Sequence, residues 1–189
     1  MRKIQIVLAS KSPRRRELLS LITNDYDVLV SNVDESVNDN LSPKEKIESI
    51  SLKKAEAVKK IRKDAVIISA DTAVFVLGKQ FGKPKNKEEA KNMLNALSGK
   101  THSVITAFTV INGEKTVTKS VETKVTFRKL TEKEIEDYIA SPEPYDKAGG
   151  YGIQGKAALF VRKIDGDYMS VVGLPVCALK QTLNEMGIF

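Results

Sequence analysis

The chain has 189 residues, 41% of them hydrophobic and 29% charged, with charge spread along its whole length. One domain with a sizeable core is therefore expected, and broad disorder is excluded. The formal net charge of +7 suits either nucleic acid or a site for a small polyanion, while a lone Cys177 excludes an intramolecular disulfide and a multi-cysteine metal site.

Residues 4–9 read as a short buried strand. The basic start Met1-Arg2-Lys3 and the apolar stretch after it, interrupted by Gln5, suit such a strand better than a signal peptide. Ser12-Pro13 then opens a helix, with Ser12 as N-cap and Pro13 at the first helical position. Residues 26–30 form a second strand, followed by a polar loop through Glu35. Ser42-Pro43-Lys44-Glu45 has capping-box spacing and predicts a helix over 43–61. Residues 44–63 hold eight basic and three acidic side chains, which on a helix make an ordinary solvated face.

Residues 65–70 form a strongly apolar strand ending at Asp71-Thr72, with a further strand over 73–77 towards Gly78. Asn86 opens a helix that buries Met93, Leu94 and Leu97 and stops at Gly99. Residues 103–111 and 116–128 flank Asn112-Gly113 as a hairpin on a primed turn. Thr131-Glu132-Lys133-Glu134 repeats the capping box. A glycine-rich loop over 149–155 precedes a strand over 158–164, and a helix over 175–186 closes the chain. The pattern is α/β with a mixed sheet, because the 103–128 hairpin is antiparallel. No apolar run approaches the roughly 18–20 residues that span a bilayer, and the cytoplasm is the simplest compartment.

Four clusters carry candidate chemistry. Ser10, Arg14 and Arg15 sit at a strand-to-helix junction, where free N–H groups and guanidinium forks attract phosphate; a capped surface helix is the plain alternative. Asp71-Thr72 follows a strand, the usual place for ligands in open α/β sheets, and Glu35 lies in a comparable loop, so both acids could converge on one divalent ion. Gly82-Lys83-Pro84 lacks P-loop spacing, but Lys83 could face a phosphate. Asp146 to Gly155 is glycine-rich, and Gln154 could read the edge of a base. His102, the only histidine, belongs at a strand start, and Cys177 in the apolar register of the last helix belongs in the core.

In chain order, Leu8-Ala9-Ser10-Lys11-Ser12-Pro13-Arg14-Arg15-Arg16-Glu17-Leu18-Leu19, Val33-Asp34-Glu35, Lys54-Ala55, Ala70-Asp71-Thr72, Gly82-Lys83-Pro84, Leu97 to His102, Asp146-Lys147-Ala148-Gly149, Tyr151 to Gly155 and Gly173-Leu174-Pro175 resemble the motifs of the Maf family of nucleotide pyrophosphatases. The resemblance covers almost the full length and implies one Maf-like domain over 1–189. It implies two lobes around a deep cleft, similar to inosine-triphosphate pyrophosphatases. It also implies a cytoplasmic, metal-dependent enzyme and a homodimer. In the family the aspartate matching Asp71 is the proton acceptor. Arg14, Thr72 and Gln154 match the pattern of the branch that hydrolyses dTTP and UTP, rather than the branch preferring 7-methyl-GTP.

A triphosphate bears about four negative charges, so cations must offset them before a nucleophile can approach. Arg14, Arg15, Lys54 and Lys83 are expected on the phosphate tail, Glu35 and Asp71 on Mg²⁺ or Mn²⁺, and Thr72 and Gln154 on the pyrimidine. The expected partner is a nucleoside triphosphate, with no nucleic acid and no membrane. A nucleic-acid module is one rival reading, and a nucleotide-binding regulator of septum formation acting through protein partners is another.

Overall fold

In the computed structural model, residues 4–30 and 32–189 are described. The reading of Met1-Arg2-Lys3 as the run-in to a strand lies outside them. The elements in chain order are strand β1 (Ile6–Leu8), helix α1 (Pro13–Ser20), β2 (Asp27–Val28), α2 (Pro43–Ile61), β3 (Val66–Val76) and β4 (Lys79–Phe81). There follow α3 (Lys87–Leu97), β5 (Thr101–Asn112), β6 (Lys115–Phe127), α4 (Glu132–Ile139), β7 (Val161–Asp165), α5 (Tyr168–Val172) and α6 (Val176–Glu185). Hydrogen bonding orders the strands β2-β1-β3-β5-β6-β7 in one mixed sheet, with β4 paired to β3. The expected α/β class is thus observed. No helix of the described residues is long and apolar enough to cross a membrane.

By its internal contacts the chain forms two compact units. Among the described residues, the first comprises those within 4–71, 106–121 and 173–189. Here β1 pairs in parallel with β2 and β3, in the register Ile6↔Val66 and Leu8↔Ile68. Val7, Ala9, Ala55, Val58, Ala65, Ile67 and Ile111 pack into one of its apolar clusters. The second unit comprises residues 72–105 and 122–172. Its core packs α3 and α4 residues (Leu94, Leu97, Ile135, Tyr138) with Val74, Val125, Phe127, Tyr151 and Phe160.

Helix starts follow the cap chemistry expected of them. Ser12 accepts from the Arg15 N–H, Asn86 from the Glu89 N–H, and Ser42 and Thr131 each complete a capping box, with Glu45 and Glu134 respectively. Each side-chain oxygen satisfies an N–H that the first turn leaves without a partner.

Five expectations need correction. First, β3 does not break at Asp71-Thr72; it runs unbroken from Val66 to Val76. Residues 73–76 are buried, and 74–76 pair with β4 across Leu77-Gly78, both at positive φ (48° and 78°), so the hairpin keeps the strand extended. Second, the strand expected over 158–164 begins only at Val161, because Lys156–Phe160 winds into a 3-10 helix that buries Ala157 and Phe160. Third, the second strand shrinks to Asp27–Val28. Fourth, Cys177 is exposed rather than in the core, since α6 buries Leu179, Thr182 and Leu183 instead. Fifth, the tight turn between β5 and β6 is Gly113-Glu114, one residue later than Asn112-Gly113, with Gly113 at φ 60°.

Candidate functional site

Strand β1 ends at Leu8, level with Ile68, and the Ala9 N–H still donates to the Ile68 carbonyl at 2.7 Å. The chain then turns into α1 while β3 continues for three more residues to Asp71. The carboxyl end of the parallel strands therefore holds Ser10, the start of α1 and Asp71, as the rule for open sheets expects.

Ser10 is buried and accepts from the Ser12 N–H at 3.2 Å and from Arg15 Nη1 at 3.5 Å. Arg15 Nε donates to the Gly173 carbonyl at 2.9 Å. Sequence reading gave Gly173-Leu174-Pro175 no chemical role; here its first carbonyl holds the guanidinium. Burial pulls the Arg15 pKa down, Asp71 opposes that fall, Arg14 adds to it, and Glu35 opposes it. The guanidinium thus feels both acids and the neighbouring arginine together.

Lys54 projects from α2 between two carboxylates. Its Nζ lies 2.7 Å from Asp71 Oδ1 and 2.8 Å from Glu35 Oε1. The side chains of Lys54 and Asp71 are only 13% and 15% exposed, whereas that of Glu35 is 58% exposed. The first pair is therefore fixed in a sheltered place, and Glu35 closes it from an open loop. Among the described residues no three His, Cys, Asp or Glu side chains gather as a metal cage. Two converging carboxylates nonetheless fit Mg²⁺ or Mn²⁺, hard ions that one or two carboxylates hold together with waters and phosphate oxygens.

Thr72, Lys83 and Gln154 belong to the second unit. Thr72 is half-buried in β3, and Lys83 and Gln154 are exposed. The two glycine-bearing motifs of this unit, apart in sequence, are joined in space. The Gly149 N–H donates to the Gly82 carbonyl at 2.9 Å, and Gly149 stands at φ 71° so close to Val74 that a Cβ would meet its side chain at 3.0 Å. Only glycine suits that place.

The segment carrying Gln154 is tied down on both sides. Before it, Tyr151 Oη lies 2.7 Å from His102 Nε2, and the Gly152 N–H donates to Tyr138 Oη at 3.3 Å. After it, the Lys156 N–H donates to Glu143 Oε2 at 3.0 Å, while Tyr138 Oη donates to Glu143 Oε1 at 3.1 Å. A Cβ on Gly155 would sit 2.1 Å from Glu143 Oε1, so the carboxylate closes over the loop because that residue has no side chain. Glu143 escaped sequence reading, since a single acid between two prolines carries no local signal.

Comparison with known proteins places these features in company. A family model described as Maf-like protein matches residues 5–186. The chain is 51% identical over 184 residues to the dTTP/UTP pyrophosphatase of Bacillus pumilus (strain SAFR-032), covering 97% of each. It is 50% identical over 188 residues to the dTTP/UTP pyrophosphatase of Bacillus cereus (strain ATCC 14579), covering 100% of this chain and 97% of that one. Among solved structures it is similar to the Staphylococcus aureus Ham1 protein, with TM-score 0.57 and 14% identity over 96% of this chain and 99% of that one. A HAM1 protein from Coxiella burnetii gives TM-score 0.54 and 13% identity with the same coverage. At such low identity these two likenesses speak for the fold alone.

Proposed function

The chain belongs to the Maf-like family, and from that membership we propose that it is a nucleoside triphosphate pyrophosphatase that hydrolyses dTTP and UTP to the monophosphate and pyrophosphate. The observation that carries the proposal is the Lys54 ammonium set between Asp71 and Glu35 beside Arg15, in a chain half identical over its full length to proteins of that name. We assign Asp71 the role of general base, taking the proton of the water that attacks the α-phosphorus. Lys54, Arg14, Arg15 and Lys83, with the Ser10 hydroxyl, bind phosphate oxygens and offset their charge. Thr72 and Gln154 recognise the pyrimidine. Glu35 and Asp71 would hold the divalent cation, which when bound supplies positive charge to the phosphate oxygens.

On this proposal the 189 residues work as one functional domain, in the cytoplasm and as a homodimer, with modified pyrimidine nucleotides among the substrates. Pyrophosphate release should be measured across canonical and modified nucleoside triphosphates, with Mg²⁺ and with Mn²⁺. UTP and dTTP should lead the panel. Asp71→Asn should lower kcat by at least about a hundred-fold, the lower end of what a positioned base contributes, with an unchanged circular dichroism spectrum. A preference for 7-methyl-GTP, or full turnover by Asp71→Asn, would sink the assignment.

A further inference from the structure

We propose that Ser51 and Ser69 are positioning residues: a row of buried hydroxyls locks α2 on the sheet at the register that sets Lys54 on Asp71. The inference rests on the reading of Lys54 and Asp71 as the working pair.

On α2, Glu48, Ser51 and Lys54 recur every third residue and so share one face. Each has a polar partner on the sheet. Ser120 Oγ on β6 donates to Glu48 Oε1 at 2.5 Å. Ser51 Oγ lies 3.1 Å from Ser69 Oγ on β3 and 3.0 Å from Thr109 Oγ1 on β5. Lys54 Nζ donates to Asp71 Oδ1 on β3 at 2.7 Å. Ser69 and Asp71 are two residues apart in one strand and therefore face the same side, as do Thr118 and Ser120 on β6. Thr109 Oγ1 in turn lies 3.0 Å from Thr118 Oγ1. A polar stripe of the helix is thus matched, partner by partner, to a polar row across the sheet.

The protons in that row have one consistent order. Ser69 Oγ donates to the Ser51 carbonyl at 2.6 Å, and a hydroxyl has one proton to give. Ser51 must then donate to Ser69, Thr109 to Ser51, and Thr118 to Thr109. The chain of donors ends on the backbone of α2 itself, one turn before Lys54. Ser51, Ser69 and Thr109 are all fully buried, so none of them can exchange these bonds for water. Apolar packing alone lets a helix slide or rotate slightly on a sheet. A ladder of directional bonds, each with a named partner, does not.

The test is a double-mutant cycle on kcat/KM for UTP. Ser69→Ala should cost about ten-fold in the Lys54 enzyme, since small misplacements at a reacting centre carry large rate penalties. In the Lys54→Ala background the same change should cost less than about two-fold, because nothing remains to be positioned. A crystal structure of Ser69→Ala should show Lys54 Nζ beyond hydrogen-bonding reach of Asp71. Equal losses in both backgrounds, no loss at all, or Nζ still seated on Asp71 would overturn the inference alone. Wild-type activity in Lys54→Ala would overturn the reading of the site and this inference with it. If Ser69→Ala does not fold, Ser51→Ala removes the neighbouring rung and carries the same test.

Discussion

His102 is buried with Nε2 bonded to the Tyr151 hydroxyl, its ring edge-on to Phe127 and Tyr151, and Nδ1 without a partner among the described residues. Burial pushes its pKa down from 6.5 to about 4. Because the folded value lies below the unfolded one, the unfolded chain binds the extra proton between them. The contribution to stability is complete above about pH 6.5 and is lost as pH falls towards about 4, with a full span of about 3 kcal/mol. Urea denaturation at about pH 7 and about pH 5 should therefore show a loss of about 2 kcal/mol in the wild type beyond that in His102→Gln. Equal losses in the two proteins would mean that the ring is not held neutral. At this scale the sequence placed His102 correctly near a strand start, but not its partner, because Tyr151 is far along the chain. It misplaced Cys177, since the apolar periodicity of so short a helix admits more than one inward face.

At the scale of elements, capping chemistry was legible because it is local: Ser12, Ser42, Asn86 and Thr131 act on N–H groups within three residues. Helix α2 shows what this contributes. Its Ser42 side chain and Glu45 carboxylate satisfy each other's backbone N–H groups on an exposed surface, far along the helix from Lys54. Ser42→Ala should lower stability by about 1 kcal/mol, read as a shift in denaturation midpoint, while KM for UTP stays unchanged. A changed KM would mean that the cap acts on the site and not only on the helix. Strand ends were less legible. The pair Asp71-Thr72 reads as a break, yet the pairing of residues 74–76 with β4 carries β3 straight through it. Likewise residues 158–160 read as the start of a strand, while the buried Ala157 and Phe160 call for the tighter winding of Lys156–Phe160.

For the whole molecule, the surplus of seven positive charges raises the local concentration of an anionic substrate. Salt shortens the reach of that field from about 10 Å at 0.1 M to about 3 Å at 1 M. KM for UTP should accordingly rise several-fold between about 0.1 and about 1 M KCl, with kcat changing by less than about two-fold. A kcat that falls as steeply as KM rises would place the charge effect in the chemical step instead.

The order of the motifs along the chain determined family, fold class and the cast of charged residues, since each motif is a local pattern of cap, turn and strand. Which of those residues meet was decided only by tertiary structure. Lys54, Glu35 and Asp71 are strangers in sequence and neighbours in space, and the serines proposed to seat Lys54 on Asp71, Ser51 and Ser69, look in the sequence like two unremarkable polar residues. The reason is physical: a hydroxyl acquires meaning only from what lies opposite it, and the packing of α2 on the sheet puts another hydroxyl there.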